Sequence, residues 1–222
     1  MAAKRGEALL KLYRFREMGG SLRRGGRLSA LARWASRIAR SVVVCAARGD
    51  KLLNQGQLGA VIIEFIKRKD GNTVLRCVRE DGSSTWQRNE NQHALFFPIH
   101  DLLHYAIESE LGFSRGFFGL LAAGWNIDET TGKSARGALP HEALEVEHFV
   151  SSFTAEWNSN TNWTAADFNA QTAQFAESRG FRVPRTLSDE ELSRVRGRFK
   201  EIATRWGDLP MGETLRMNFP GR

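Results

Sequence analysis

The chain has little cysteine and no long hydrophobic run. Cys45 and Cys77 are the only cysteines among its 222 residues, and they do not form a CxxC pair. Two isolated cysteines exclude a disulfide framework and a thiolate zinc site, and they suit a reducing compartment. No stretch approaches the roughly 18 consecutive apolar residues that a membrane-spanning helix needs. We therefore expect a cytoplasmic protein without a transmembrane segment.

The composition is otherwise that of a globular protein, but the charge is distributed unevenly. Hydrophobic residues make up 41% and charged residues 26% of the chain, which are ordinary fractions for a folded domain. Residues 1–57 contain 13 Lys/Arg and 3 Asp/Glu, a net charge of +10, whereas residues 58–222 carry −3. We predict two parts, a basic, partly helical or disordered N-terminal arm over 1–57 and one α+β domain over 58–222.

The predicted arm is basic and amphipathic, and glycine pairs interrupt it. Gly19-Gly20 and Gly25-Gly26 separate two helical patterns, which argues against a compact fold of its own. Such a segment is typical of a nucleic-acid-binding arm, a membrane-surface helix or an organelle-targeting leader. The simpler explanations are a floppy extension or a leader that results from an upstream choice of start codon. Nucleic acid and anionic surfaces are therefore candidate partners for residues 1–57.

Residues 60–88 have the pattern of three antiparallel strands. Runs rich in β-branched and aromatic residues at 61–66, 73–79 and 84–88 are separated by Asp-Gly pairs. Asp-Gly between such runs is a hairpin signal, because these turns need a positive φ that glycine adopts readily. At the other end of the chain, residues 213–219 alternate polar and apolar side chains, as in a half-buried strand. We expect that final strand to pair with the three-stranded meander.

The segment between the strands has helical periodicity. Its helix boundaries are marked at Pro98, Gly112, Pro140, Thr164 and the Ser188/Glu191 capping box. Pro98 suits a first helical turn and Gly112 a helix stop. Strands followed by helices and one more strand indicate an α+β fold, because a doubly wound sheet alternates the two. The predicted fold is a small antiparallel sheet, a three-stranded meander plus a C-terminal strand, packed against about four to five helices.

The sharpest chemical feature is a pair of histidines four residues apart, His100 and His104, with Glu108 one turn later. On a helix these three positions lie within about 80° of one another. Imidazoles at this spacing can bind one metal ion, as in the HExxH helices of zinc enzymes. That motif is absent here, because Asp101 replaces its glutamate. We predict His100, His104 and Glu108 as metal ligands, and Asp101 as a group that orients them.

A second helix offers further candidate ligands. Glu145 and His148 have the Glu-x-x-His spacing found in di-iron bundles, and we predict that they complete the site. His148 points almost opposite to the apolar side of this helix, so either the helix is covered on both sides or His148 is exposed. Glu142 lies nearer the apolar side and is a competing candidate, while His141 and Glu147 also belong to this segment.

Other active-site patterns are missing. The glycines between 112 and 124 are not followed by the Lys-Ser/Thr pair of a phosphate-binding loop, so we expect no nucleotide. No serine has the sequence context of a hydrolase nucleophile. The expected cofactor is a divalent metal, with zinc, iron or manganese as candidates.

Three resemblances rest on these residues. The stretch FFPIHDLLHYAIESELGFSRGFFGLLAAGW, with ALEVEH and PMGETLRMNF after it, resembles a family of small uncharacterised bacterial proteins that contain an HDxxHxxxE segment. The HDxxH core is similar to the zinc motif of the coenzyme-Q biosynthesis proteins, which implies zinc ligation by His100, Asp101 and His104. That family's distal glutamate lies further along the chain than Glu108 or Glu110. The His-Asp pair also resembles HD-type phosphohydrolases, whose other ligands have no clear counterpart here.

Three hypotheses follow for the function. The first is a metal-binding domain that works as a metal-dependent hydrolase or lyase on a small molecule. The second is a non-catalytic interaction domain whose histidines are structural core residues. The third is binding of nucleic acid or a membrane surface through residues 1–57.

Overall fold

The computed structural model describes residues 59–132 and 134–220, and the predicted arm lies outside them. The described elements are, in chain order, β1 (Val61–Lys67), β2 (Thr73–Arg79), β3 (Ser84–Asn89), α1 (Gln92–Leu111), α2 (Phe117–Ala122), a 3₁₀ helix (Ile127–Thr131), α3 (His141–Ser159), α4 (Ala165–Glu177), α5 (Asp189–Asp208) and β4 (Thr214–Phe219). None of these helices is both long enough and apolar enough to cross a membrane.

The four strands form one antiparallel sheet in the order β3-β2-β1-β4. The two hairpin turns contain Gly71 and Gly82, each with a φ of 81°, as the Asp-Gly signals predicted. The last strand pairs with β1, so that Leu215 lies opposite Phe65 and Met217 opposite Ile63. The predicted α+β fold, a meander closed by the C-terminal strand, is confirmed.

The core lies between one face of the sheet and the helices. Phe65 is buried on this inner face and packs edge to face against Trp206 of α5, with ring centroids 6.1 Å apart. Tyr105 of α1 lies against Phe219 and donates its hydroxyl hydrogen to the carbonyl oxygen of Asn218 at 2.9 Å. These aromatic contacts attach α5 to the interior strand β1 and α1 to the edge strand β4.

Helix α1 begins earlier than the sequence indicated. It starts at Gln92, so Pro98 lies inside the helix and not in its first turn. Proline has no N–H to donate to the carbonyl of Ala94, so this part of α1 has one backbone hydrogen bond fewer than a regular helix. Gly112, with a left-handed φ of 77°, ends the helix as predicted. α1 packs against both α3 and α5, which places its middle turns deep in the domain.

Capping residues set the ends of the later helices. The side chain of Thr164 accepts a hydrogen bond from the backbone N–H of Asp167 at the start of α4. Ser188 and Glu191 form the predicted capping box at the start of α5. Helix α3 begins directly after Pro140, and a short loop joins its end to α4. Because α3 packs on α1, it carries residues 141–148 to the side of α1 on which the paired histidines lie.

Candidate metal centre

Three side chains meet where α1 packs against α3. They are His100 and His104 of α1 and Glu147 of α3, and one ligand atom from each lies within 4.8 Å of the others. The His104 Nε2 atom is 3.4 Å from Glu147 Oε1, and the two imidazole rings have centroids 4.8 Å apart. Nitrogen and oxygen ligands about 2.1 Å from a shared ion lie roughly 3–4 Å from one another. The cluster therefore has the composition and approximate size of a divalent metal site.

His104 is the centre of this arrangement, because a carboxylate faces each of its ring nitrogens. Glu147 lies beside Nε2, and Glu108 Oε1 is 3.5 Å from Nδ1. Within the described part of the chain, neither Nδ1 of His104 nor Oε1 of Glu108 has a closer hydrogen-bond partner. Metal-binding histidines usually have a carboxylate or carbonyl on the ring nitrogen that does not touch the metal. Glu108 occupies that position relative to His104.

Glu108 is fully buried and is held in place by α2. Its Oε2 atom accepts the backbone N–H of Gly119 at 3.1 Å. A Cβ atom at Gly116 would lie 2.4 Å from Cδ of Glu108, so only glycine leaves room for this carboxylate. One of the glycines that did not form a phosphate-binding loop, Gly116, thus has a packing role, since it lets the start of α2 approach the carboxylate behind His104.

The two histidines differ in their affinity for protons. Burial lowers the pKa of His104, but the carboxylates of Glu147 and Glu108 outweigh burial and raise that pKa to about 10. Burial, with the positive charge of His104, lowers the pKa of His100 to about 3. Burial alone would raise the pKa of Glu147, yet the imidazolium of His104 holds it below its ordinary value. A metal ion at this cluster would displace the proton from His104 and find His100 already neutral.

The structure separates the other predicted ligands from this cluster. Glu108 lies on the Nδ1 side of His104, and Glu145 Oε1 instead accepts the backbone N–H of Arg185 at 2.8 Å. His148 is buried and packs against Phe181 with ring centroids 5.4 Å apart. Of the two alternatives for α3, a helix covered on both sides or an exposed His148, the structure shows the first. Glu145 and His148 therefore make other contacts in the structure, and their role as ligands stays a prediction.

The two remaining candidates also have other contacts. Asp101 is buried, and its Oδ2 atom lies 3.5 Å from Nε2 of Gln87 on β3. Burial is the main reason why the pKa of Asp101 rises to about 7. Glu142, the competing candidate, accepts the backbone N–H of Arg115 at 2.5 Å. Asp101 thus connects α1 to the sheet, and Glu142 connects α3 to the loop before α2.

Glu147 is the residue that the sequence-based assignment missed. It belongs to the second histidine-containing segment, but the Glu-x-x-His pattern favoured Glu145. The spacing does not separate the two glutamates, since Glu145 also precedes a buried residue, Phe149, by four positions. Glu147 follows Ala143 by four residues and precedes Val150 by three. Both are buried, and residues at these spacings share one side of a helix. Glu147 therefore lies at the border of the apolar side of α3, facing α1.

The fold and the cluster define an α+β domain with a candidate His/His/Glu metal centre. Comparisons of the chain with models of protein families, with curated proteins and with solved structures gave no significant match. The resemblances based on the HDxxH segment stay predictions. What the structure shows toward a function is the cluster of His100, His104 and Glu147.

Proposed function

We propose that this protein binds one divalent metal ion through His100, His104 and Glu147. The observation that carries this proposal is the convergence of the three ligand atoms within 4.8 Å, from two different helices. Two imidazole nitrogens and one carboxylate oxygen form a donor set that zinc and iron(II) enzymes both use, and manganese accepts it as well. Glu108 orients His104 from the opposite ring nitrogen, so that Nε2 points its lone pair at the ion.

The number of protein ligands favours a catalytic ion over a structural one. Structural zinc sites are closed by four protein ligands, whereas catalytic sites use three and keep a position open for water or substrate. An ion in such a site lowers the pKa of bound water or polarises a carbonyl group. The proposed activity is that of a metal-dependent hydrolase or lyase acting on a small molecule.

One observation favours a second function, a non-catalytic domain with structural histidines. His104 lies between two carboxylates, and its charged form is stabilised by both of them. A buried imidazolium with two such partners needs no metal to compensate for its burial. The two hypotheses differ in one measurable property, because only the first requires an ion in a fixed ratio to the chain.

The test uses two glutamates of α3 as a matched pair. Protein purified without chelator is analysed for metal, and its melting temperature is measured with added zinc, iron(II) or manganese. We expect one ion per chain in the unmodified protein and in Glu145→Gln. Glu147→Gln should bind at least tenfold more weakly, because loss of one ligand out of three removes several kcal/mol of binding free energy.

Two results would contradict the proposal. The first is a chain that contains no metal and gains no thermal stability from any of the three ions. The second is equal metal affinity in Glu147→Gln and Glu145→Gln, since only Glu147 belongs to the cluster. The first result would make His100 and His104 structural residues, and the second would remove Glu147 from the proposed ligand set.

A further inference from the structure

The outer face of the sheet carries a row of side chains that the metal site does not involve. Trp86 of β3 lies opposite Arg76 of β2, which lies opposite Glu64 of β1, which lies opposite Arg216 of β4. In the described part of the chain all five α-helices contact one another or the opposite, inner face. This row therefore crosses the sheet on its open side.

The two arginines are fixed by the carboxylate between them. Glu64 is only 6% exposed, and its Oε2 and Oε1 atoms accept hydrogen bonds from Arg76 at 3.2 Å and from Arg216 at 3.1 Å. The side chains of Arg76 and Arg216 are 46% and 67% exposed. Each guanidinium has five N–H donors in a plane, so both keep donors that point to solvent. The Glu64 carboxylate lies beneath the two guanidinium groups, so the surface presents two positive charges in fixed positions.

Trp86 adds an aromatic platform to this row. It is 63% exposed, the largest fraction among the big apolar side chains in the described residues. Ile62, on the same face, is 39% exposed. A tryptophan in open solvent at the middle of a strand does not contribute to the core, and such surfaces commonly mark interaction sites. Its neighbours Arg76 and Arg88 give the platform a cationic border.

The charge of this face differs from the charge of the domain that carries it. Residues 58–222 have a net charge of −3, yet the outer row has two arginines and one buried glutamate. A third arginine of this face, Arg88, is paired with Asp70 and Glu90 at its edge. Residues 1–57, at +10, would add to this positive charge and cannot neutralise it. A ligand that complements this face carries negative charge, which the arginines attract, and has planar rings that can stack on Trp86.

We propose that the open face of the sheet binds single-stranded nucleic acid, with a base stacked on Trp86 and phosphates bound by Arg76 and Arg216. Neighbouring strands are about 4.8 Å apart, so the row from Trp86 to Arg216 spans roughly 14 Å, enough for a short run of nucleotides. Bases in a duplex are stacked on each other, so an aromatic side chain on a sheet selects unpaired strands. This binding site is independent of the metal centre, which lies among the helices.

The test uses the full-length chain, so that residues 1–57 are the same in every sample. Fluorescence anisotropy measures binding of a labelled oligo-uridine of about 12 nucleotides, over a salt range of about 50 to 200 mM. Trp86→Ala is compared with Met211→Ala, a control at a residue that is 61% exposed in the turn before β4. The double variant Arg76→Gln/Arg216→Gln is compared with Arg194→Gln/Arg205→Gln on α5, which removes the same charge.

We expect Trp86→Ala to weaken binding about tenfold, the effect of removing one base-stacking interaction. The Arg76/Arg216 variant should bind more weakly, and the slope of log affinity against log salt should become shallower by about 0.7 for each phosphate that is no longer neutralised. Both control variants should bind like the unmodified protein. Unchanged melting temperatures in Trp86→Ala and in both controls show that the exposed substitutions leave the fold intact. The Arg76→Gln/Arg216→Gln variant removes the charged partners of the buried Glu64, so its melting temperature should fall. Cooperative unfolding above the assay temperature shows that this variant is still folded.

Several outcomes would overturn the proposal. One is no binding of oligo-uridine, and another is equal affinity in Trp86→Ala and Met211→Ala, which would assign any binding to charge elsewhere. Equal binding of a poly-glutamate peptide would define a surface for acidic proteins. Self-association that Trp86→Ala abolishes, with oligo-uridine affinity unchanged, would make the face an interface between two copies of the chain.

Discussion

Replacing Glu108 by glutamine changes the metal centre without removing any proposed ligand. The carboxylate of Glu108 accepts the Gly119 N–H through Oε2 and faces Nδ1 of His104 through Oε1. In Glu108→Gln the amide oxygen would keep the bond to Gly119, which leaves the NH₂ group toward Nδ1. An NH₂ group donates a hydrogen bond, so Nδ1 must accept it and the ring proton moves to Nε2. Nε2 would then present a hydrogen to the ion, where binding requires a lone pair.

The expected loss follows from this change of tautomer. Removing the carboxylate behind a ligand histidine typically weakens metal binding by about 10- to 100-fold, or about 1.4–2.7 kcal/mol. The metal-free domain should also lose about 1–3 kcal/mol of unfolding free energy, because His104 and Glu108 are both buried and the charged interaction between them is removed. Glu108→Gln should therefore be less stable and bind metal less tightly.

The assay is competition for metal with a chromophoric chelator, together with urea unfolding of the metal-free chain. Glu110→Gln is the matched control, because Glu110 is on the same helix but partly exposed, 3.9 Å from Arg194. We expect this control to change neither quantity by more than about 0.5 kcal/mol. Metal affinity in Glu108→Gln equal to that of the control would refute the orienting role of Glu108. It would leave the ligand assignment itself intact.

Three other predictions concern the arm, the closing strand and pH. Deleting residues 1–57 should shift the melting temperature by only a few degrees, measured by calorimetry, and loss of cooperative unfolding would make the arm part of the core. Deleting residues 211–222 should destabilise the whole domain, because β4 covers one edge of β1; an unchanged urea midpoint would contradict this. In the metal-free chain, the pKa of His104 is raised from 6.5 to about 10, so its stabilising effect is complete below pH 6.5 and is lost as the pH rises toward 10. Metal affinity should rise over the same interval, because the ion displaces that proton. If the free energy of unfolding and the metal affinity instead change in the same direction with pH, the two do not depend on the same proton.

The strands were predictable because their signals are local. Asp70-Gly71 and Asp81-Gly82 specify the two turns, and the alternation at 213–219 specifies a face to be buried. The alternation gives β4 an apolar face that would be exposed if the strand did not join the meander, and this predicted its pairing. Pro98 was misleading, because α1 begins at Gln92 and the proline lies in its second turn, where it removes one backbone hydrogen bond but does not end the helix.

The candidate site was predictable on one helix and not on the other. The spacing of His100 and His104 alone places both on one side of α1. The choice between Glu145 and Glu147 depends on how α3 is rotated about its own axis when it packs on α1, and periodicity within α3 does not contain that angle. Glu108 shares a side of α1 with the histidines, which suggested a ligand. Its true position became clear only from the structure, in which α2 folds back and Gly119 donates to the Glu108 carboxylate. This contact holds the carboxylate on the Nδ1 side of His104.

The position of β1 between β2 and β4 has a consequence for synthesis on the ribosome. β1 is among the first described segments to leave the exit tunnel, and its partner β4, which ends at Phe219, is among the last. Until β4 emerges, one edge of β1 has unpaired backbone groups beside the apolar side chains of Ile63 and Phe65. Such an edge is prone to pairing with other chains. The nascent domain therefore exposes this edge throughout the synthesis of α1 to α5, and pairing with β4 covers it.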